Sequence, residues 1–329
     1  MKINTILGIS VIAGIVILVV ISSMGNPIGA FPLTGAEKNG SDHLELQNIT
    51  NGDLGSLSHS LILDDTLPGA PEKILIYKTV SPQYTRQDII SLGEKFGLNG
   101  TDRIKEVKEG SSIASEDGTI YAILHDSGFV EYHNTNRAHT VNSLDIPENL
   151  PSDDEAVQIA TSFLKERNLL PEGAEFRKTE HGRIYQLVRN GEDIVTWEDI
   201  NVWFGRTLND YPVEGSQLMI AVGGNGDIIE YFTNWRTYEP YQELAVKTPE
   251  QAFGELKTRG IAVGMNSPDT VSVRETYLAY RTKAGAETEY YLEPVWVFKG
   301  EVISDGKSVQ SFIEFIPALT DESVKSLKS

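Results

Sequence analysis

The chain has 329 residues, 40% hydrophobic and 23% charged, which suits a folded protein of about two domains. A formal charge of −19 excludes a nucleic-acid partner and docking on anionic lipid through a basic patch, because no Lys/Arg cluster offsets the repulsion. With no cysteine, disulfides, thiolate nucleophiles and Cys-ligated metals are excluded together.

No charge interrupts the chain from Ile3 to Met24, and twelve of the sixteen residues Ile6–Ile21 are Ile, Leu or Val. At about −0.3 to −0.6 kcal/mol for each such residue near a bilayer centre, membrane insertion is favoured by roughly 4–7 kcal/mol. This predicts a signal-anchor transmembrane helix over residues 1–25, longer than the usual signal-peptide apolar region of about 7–15 residues. A removed signal is the alternative, with Ile28-Gly29-Ala30 a poor cleavage pattern because Ile is large for its position. Lys2 on the short side predicts a single-pass protein of the cell membrane, with everything after about Gly25 outside the cytoplasm. Residues 26–71 are rich in Gly, Ser, Asn and acids without periodicity and are expected as a flexible tether. Sequons at Asn39, Asn48 and Asn99 permit glycosylation.

A small divergent α+β module is expected at 72–149. Ile74–Val80 is β-rich, Thr85 with Asp88 starts a helix that Gly97 stops, and Thr119–Leu124 returns through Asp126-Ser127-Gly128 into Phe129–Tyr132. The module at 150–245 opens on a capping box, Ser152 with Glu155, followed by the apolar stripe Ala156, Ile159, Ala160, Phe163 and Leu164. Strands flank Asn190-Gly191, and a long strand runs through Trp197 to Phe204, with Ile200, Val202 and Phe204 on one face and Asn201 and Trp203 on the other. Gly223–Gly226 then turns the chain into Ile228–Trp235. The module at 246–320 repeats the scheme from Thr248 and Gln251, with strands at Val271–Thr282, Glu289–Lys299 and Val309–Ile316 and a hairpin at Asp305-Gly306. The tail 321–329 is polar and expected to fray. The fold class is therefore α+β: a transmembrane helix, then repeated modules of one helix packed on an antiparallel β-meander.

No catalytic, cofactor or metal residues stand out. If Asp126-Ser127-Gly128 forms the hairpin loop, His125 faces Phe129 and His133 faces Tyr121, about 13 Å further along, so these two and His139 do not converge on one ion. Glu198 and Asp199 are neighbours on a strand and point to opposite faces. The glycines of Gly223–Gly226 precede a strand and lack the helix N-terminus of a phosphate site. The aromatic residues are the better lead, and Trp197, Trp203, Tyr211, Trp235 and Tyr238 are the candidates for a partner-binding groove.

Ser152–Ala156 and Thr248–Ala252, the stretch from Val202–Arg206 through Tyr211–Gly215 and Gln217–Val222 to Asp227, and Tyr290–Phe298 resemble the PepSY-like superfamily. The resemblance implies an α+β fold and a regulatory, inhibitory or ligand-binding role, like that of extracytoplasmic proteins beside two-component sensor kinases or the propeptides of secreted peptidases. The expected function is a membrane-anchored, extracytoplasmic, non-enzymatic protein that binds or regulates another envelope or secreted protein, a sensor kinase or a peptidase among them. The alternatives are an envelope hydrolase whose site assembles only in three dimensions and a structural surface-layer component.

Overall fold

The computed structural model describes residues 8–12, 15–19, 56–99, 103–108, 110–137, 149–182, 184–189, 192–197, 199–263, 270–285 and 287–328. They form a mostly β structure around one large mixed sheet, which overturns the expected α+β repeat of one helix on one meander. The expected transmembrane helix is overturned as well. Its place holds β1 (Gly8–Ile12) and β2 (Ile15–Val19), paired antiparallel with Gly8 opposite Val19 and Ile12 opposite Ile15. Ile and Val are β-branched and suit strands, and an apolar run without polar positions has no period to separate strand from helix. No described helix is long and apolar enough to cross a membrane, which leaves strands unaddressed.

The local signals work as read. α1 (Arg86–Lys95) begins where the Thr85 backbone N–H donates to Asp88 Oδ2 at 2.6 Å. α2 (Asp153–Glu166) begins with the Ser152 N–H on Glu155 Oε2 at 2.9 Å, and α3 (Pro249–Arg259) with the Thr248 N–H on Gln251 Oε1 at 2.8 Å. Each satisfies a helix-start donor that has no partner within the helix. Asp305 and Gly306, at φ of 52° and 69°, reverse the chain between β19 (Tyr291–Ser304) and β20 (Lys307–Pro317), as a two-residue hairpin with positive φ at both positions requires.

Long-range pairing produces the architecture. The N-terminal hairpins are β6 (Ile104–Val107) with β7 (Gly110–Ala114) and β8 (Ile120–His125) with β9 (Val130–Asn134). β9 then pairs with β15 (Ile228–Thr233), which continues through β14 (Tyr211–Gly223) and β13 (Asp199–Leu208) to β10 (Glu175–His181). α1 and α2 cover one face of this half over a shared core of Ile89, Leu92, Ala156, Ala160, Leu164, Val202 and Ile220. Two helices thus share one sheet, where one helix per meander was expected.

The other half gathers β5 (Lys73–Val80), β16 (Thr237–Ala245), β18 (Thr270–Arg281), β19 and β20, packed under α3 around Trp296, Phe298, Tyr280 and Leu256. β5, expected beside the N-terminal hairpins, lies between β16 and β19 instead. Closing so long a loop is cheap, since each doubling of length adds only about 0.6 kcal/mol. β14 belongs to both halves: Val213 and Glu214 pair in parallel with Tyr280 and Arg281 before the strand joins β13 and β15.

Two further stretches depart from expectation. β3 (Ser56–Ser58) pairs with β17 (Ile261–Val263) and β4 (Leu61–Leu63) pairs with β18, so the end of the expected tether is structured and buries Leu61. The expected frayed tail forms α4 (Asp321–Lys328), where Thr320 Oγ1 accepts the Ser323 N–H at 3.3 Å and Val324 and Leu327, three positions apart, pack on the second core. β11 (Ile184–Arg189) and β12 (Glu192–Trp197) form a separate antiparallel pair.

Candidate functional site

The five aromatic candidates do not form one surface. Trp203 is 4% exposed and stands edge-on to Phe232 at 5.6 Å, on the sheet face opposite α1 and α2. Tyr211 is half-buried and edge-on to Tyr280 at 6.1 Å. Trp197 lies on β12 opposite Ile184. Trp235 and Tyr238 flank the guanidinium of buried Arg206, whose Cζ is 4.9 Å and 4.7 Å from their ring centres.

That sandwich is part of a buried polar joint between the two halves. The Glu289 carboxylate accepts from Thr79 Oγ1 at 2.9 Å, Tyr238 OH at 2.9 Å, Thr282 Oγ1 at 2.8 Å and the Lys283 N–H at 2.6 Å. Arg236, 4% exposed, donates to the carbonyls of Ala284, Gly285 and Glu287 and so pins the loop between β18 and β19. Burial first, then the Glu289 charge, push the Tyr238 phenol far above its ordinary range, so it stays a neutral donor. Arg206 Nη2 donates to the Arg236 carbonyl at 2.8 Å while its Nε has no partner among the described residues, and the other bonds of the joint run within the fold, the chemistry of a fastening.

A different place offers an open surface. The outer side of α2, the turn between β14 and β15 and the start of β15 line an open, shallow cleft of ≈ 380 Å³ that continues into a second lobe of ≈ 200 Å³, where the ends of α1 and β9 join the lining. Phe96 and Tyr132 stack at 4.1 Å with their planes 9° apart, and Phe163 stands 6.2 Å from Phe96. Ile159 and Ile228 extend the apolar lining, and the Gly226 turn closes one end. Gly226 adopts φ of 78°, which a residue with a Cβ rarely takes, and a Cβ there would meet Ile159 at 3.1 Å. Two arginines flank the lobe. Arg167 lies 4.7 Å over the Phe163 ring and donates Nη1 to the Lys95 carbonyl at 2.5 Å, while Arg137 Nη1 pairs with Asp227 Oδ2 at 2.7 Å. Phe163 was legible as one edge of the α2 stripe, but the arginines and Asn134 carry no local signal.

The histidines are also placed. His125 faces Phe129 and His133 faces Tyr121, as the hairpin register predicts, and His139 lies outside the described residues. The link between them is Glu131, which occupies the same strand face: its oxygens lie 2.9 Å from His125 Nε2 and 3.5 Å from His133 Nε2, while Glu230 on β15 lies 3.6 Å from His133 Nδ1. Among the described residues no group of three or more acidic or histidine side chains could hold a metal ion. Burial alone would lower the His133 pKa, but hydrogen bonds and charge from Glu131 and Glu230 outweigh it and hold it at about 9. Burial likewise works to raise Glu131, and the two histidines overcome it to bring that carboxyl to about 2.

The sign of the pH dependence follows. Stability from His133 is complete below its ordinary value of 6.5 and lost as pH rises through about 9; that from Glu131 is complete above 4.5 and lost as pH falls through about 2. His133→Asn is expected to be about 1–3 kcal/mol less stable than the parent at pH 6, with the gap closing by pH 10. Urea unfolding of both proteins across that range checks it. Asn39 and Asn48 lie outside the described residues, and Asn99 is exposed just beyond α1.

No family model matches the sequence, and no curated protein does. Among solved structures, the chain is similar to an uncharacterized protein from Eubacterium rectale, with 14% identity, a TM-score of 0.38, and coverage of 79% of this chain and 87% of that one. It is also similar to the C-terminal domain of YpeB from Bacillus megaterium, with 15% identity, a TM-score of 0.32, and coverage of 73% of this chain and 99% of that one. Likenesses this slight assign neither a fold nor an activity to the chain.

Proposed function

We propose that this is an extracytoplasmic, non-enzymatic protein that binds or regulates another envelope or secreted protein through the cleft between α1, α2 and the β14–β15 turn. The observation that carries the reading is the cleft itself: an open surface floored by the stacked Phe96 and Tyr132 with guanidiniums at its rim, whereas the exposed rings of Tyr84, Phe176, Tyr241 and Tyr290 lie outside it. Interfaces favour this combination of apolar aromatic centre and arginine. The charge-free run Ile3–Met24 supports export, and the PepSY-like motifs support a regulatory role toward a sensor kinase or a peptidase. Export predicts that protease added to intact spheroplasts removes the folded part.

A photo-crosslinking residue at Ser162, exposed on the cleft wall, tests the binding role in intact cells. The expected result is a discrete adduct with one envelope or secreted protein, absent when the crosslinker replaces Val309, exposed on β20. No adduct from Ser162, or the same adducts from both positions, overturns the reading.

A further inference from the structure

The smaller lobe of the cleft combines groups that an apolar docking surface does not need. Asn134 hydrogen-bonds to the Tyr132 side chain, while its Oδ1 is buried without a partner among the described residues. A buried acceptor without a donor is costly. Burial raises the Tyr132 phenol, whereas the Asn134 hydrogen bond and the positive charges of Arg167 and Arg137 pull it back. Both arginines and Tyr132 line the same lobe. Arg167 spends one donor on the Lys95 carbonyl and Arg137 one on Asp227, and each guanidinium carries five, so both have N–H groups left for an incoming anion. Arg137 and Arg167 against Asp227 leave the smaller lobe one net positive charge, with Glu166 on the larger lobe, in a chain of net charge −19. Phe163, Ile159 and Ile228 continue the same cleft with apolar surface.

We propose that the cleft recognises the free carboxyl end of a peptide whose last residue is apolar. The terminal carboxylate lies between Arg137 and Arg167, and the side chain rests on Phe163, Ile159 and Ile228. This deepens the reading of the cleft as a protein-recognition site and rests on it. A carboxylate offers two anionic acceptor oxygens to the two guanidiniums, where a carboxamide offers one neutral oxygen and an N–H₂ that they repel.

The test uses the full chain and three fluorescent pentapeptides: one ending in leucine with a free carboxylate, its carboxamide, and a doubly capped peptide with an internal Leu-Asp pair. Fluorescence anisotropy is expected to show the free acid bound at least about tenfold more tightly than the other two. R167Q and R137Q should each remove most of that preference, and F163A should weaken the acid while keeping its advantage over the amide. Urea unfolding confirms that the variants fold. Equal binding of acid and amide, equal binding of the capped Leu-Asp peptide, or a preference untouched by both arginine variants overturns the proposal. The two readings fail separately. A protein adduct from Ser162 with no peptide bound defeats the carboxyl-end proposal alone, whereas acid-selective binding with no protein adduct defeats the protein-partner reading.

Discussion

Glu289→Ala is expected to cost about 3–5 kcal/mol of stability, because it removes the acceptor of a buried charged joint and leaves its donors in place. Glu289 is 4% exposed, and two threonine hydroxyls, the Tyr238 phenol and the Lys283 N–H all donate to its carboxylate. Each buried donor left without a partner costs about 1–3 kcal/mol, moderated by relaxation of the loop. Arg206, flanked by Trp235 and Tyr238, also loses a nearby negative charge. Glu289→Gln keeps the shape and one carbonyl oxygen but turns an amide toward the donors, so an intermediate loss of about 1–3 kcal/mol is expected. Tyr238→Phe combined with Glu289→Ala should cost less than the sum of the two, since the phenol's partner is already gone. Urea unfolding of the parent and the four variants decides the matter: equal, small losses for Ala and Gln would mean that the carboxylate fastens nothing.

This joint shows where sequence legibility stops. The helix starts at Thr85, Ser152 and Thr248 were readable because a capping box is closed within four residues, and the Asp305-Gly306 reversal because positive φ selects those residue types. Glu289 meets Thr79 across 210 residues, and nothing near either residue announces the other. The same holds for β5, whose apolar alternation marks a strand without naming β16 and β19 as its neighbours. α4 is a different case. Its cap at Thr320 and its Val324–Leu327 spacing are present in the sequence, but so short a polar segment is helical only because it rests on the second core. In the cleft, Phe96, Tyr132, Phe163 and Gly226 come from four separate elements, so only their individual tendencies could be read.

Trp203→Ala should lower stability by about 3–5 kcal/mol, the cost of emptying a large aromatic site in a packed core. At 4% exposure the indole lies with Met219, Ala221 and Ile229, edge-on to Phe232, on the sheet face that α1 and α2 leave uncovered. Its Nε1 has no hydrogen-bond partner among the described residues, so Trp203→Phe loses packing and one favourable ring geometry but no hydrogen bond. A cost of about 1–2 kcal/mol is expected for Phe, and urea unfolding of both variants should separate them. A Phe variant as unstable as the Ala variant would mean that the indole nitrogen is held by a bond after all. The distinction bears directly on function. A sequence-level reading makes Trp203 a partner-contact residue whose truncation abolishes binding with folding intact, whereas its burial predicts that any lost binding follows the unfolded fraction. Phe163→Ala and Arg167→Gln, at the half-exposed and exposed wall of the cleft, should instead reduce partner capture per folded molecule, with the unfolding curve close to the parent's for Arg167→Gln and shifted for Phe163→Ala, whose ring also packs on the core. Crosslinking yield from Ser162, normalised to folded protein, places the three variants on one scale: Trp203→Ala returns to the parental value, and the two cleft variants do not.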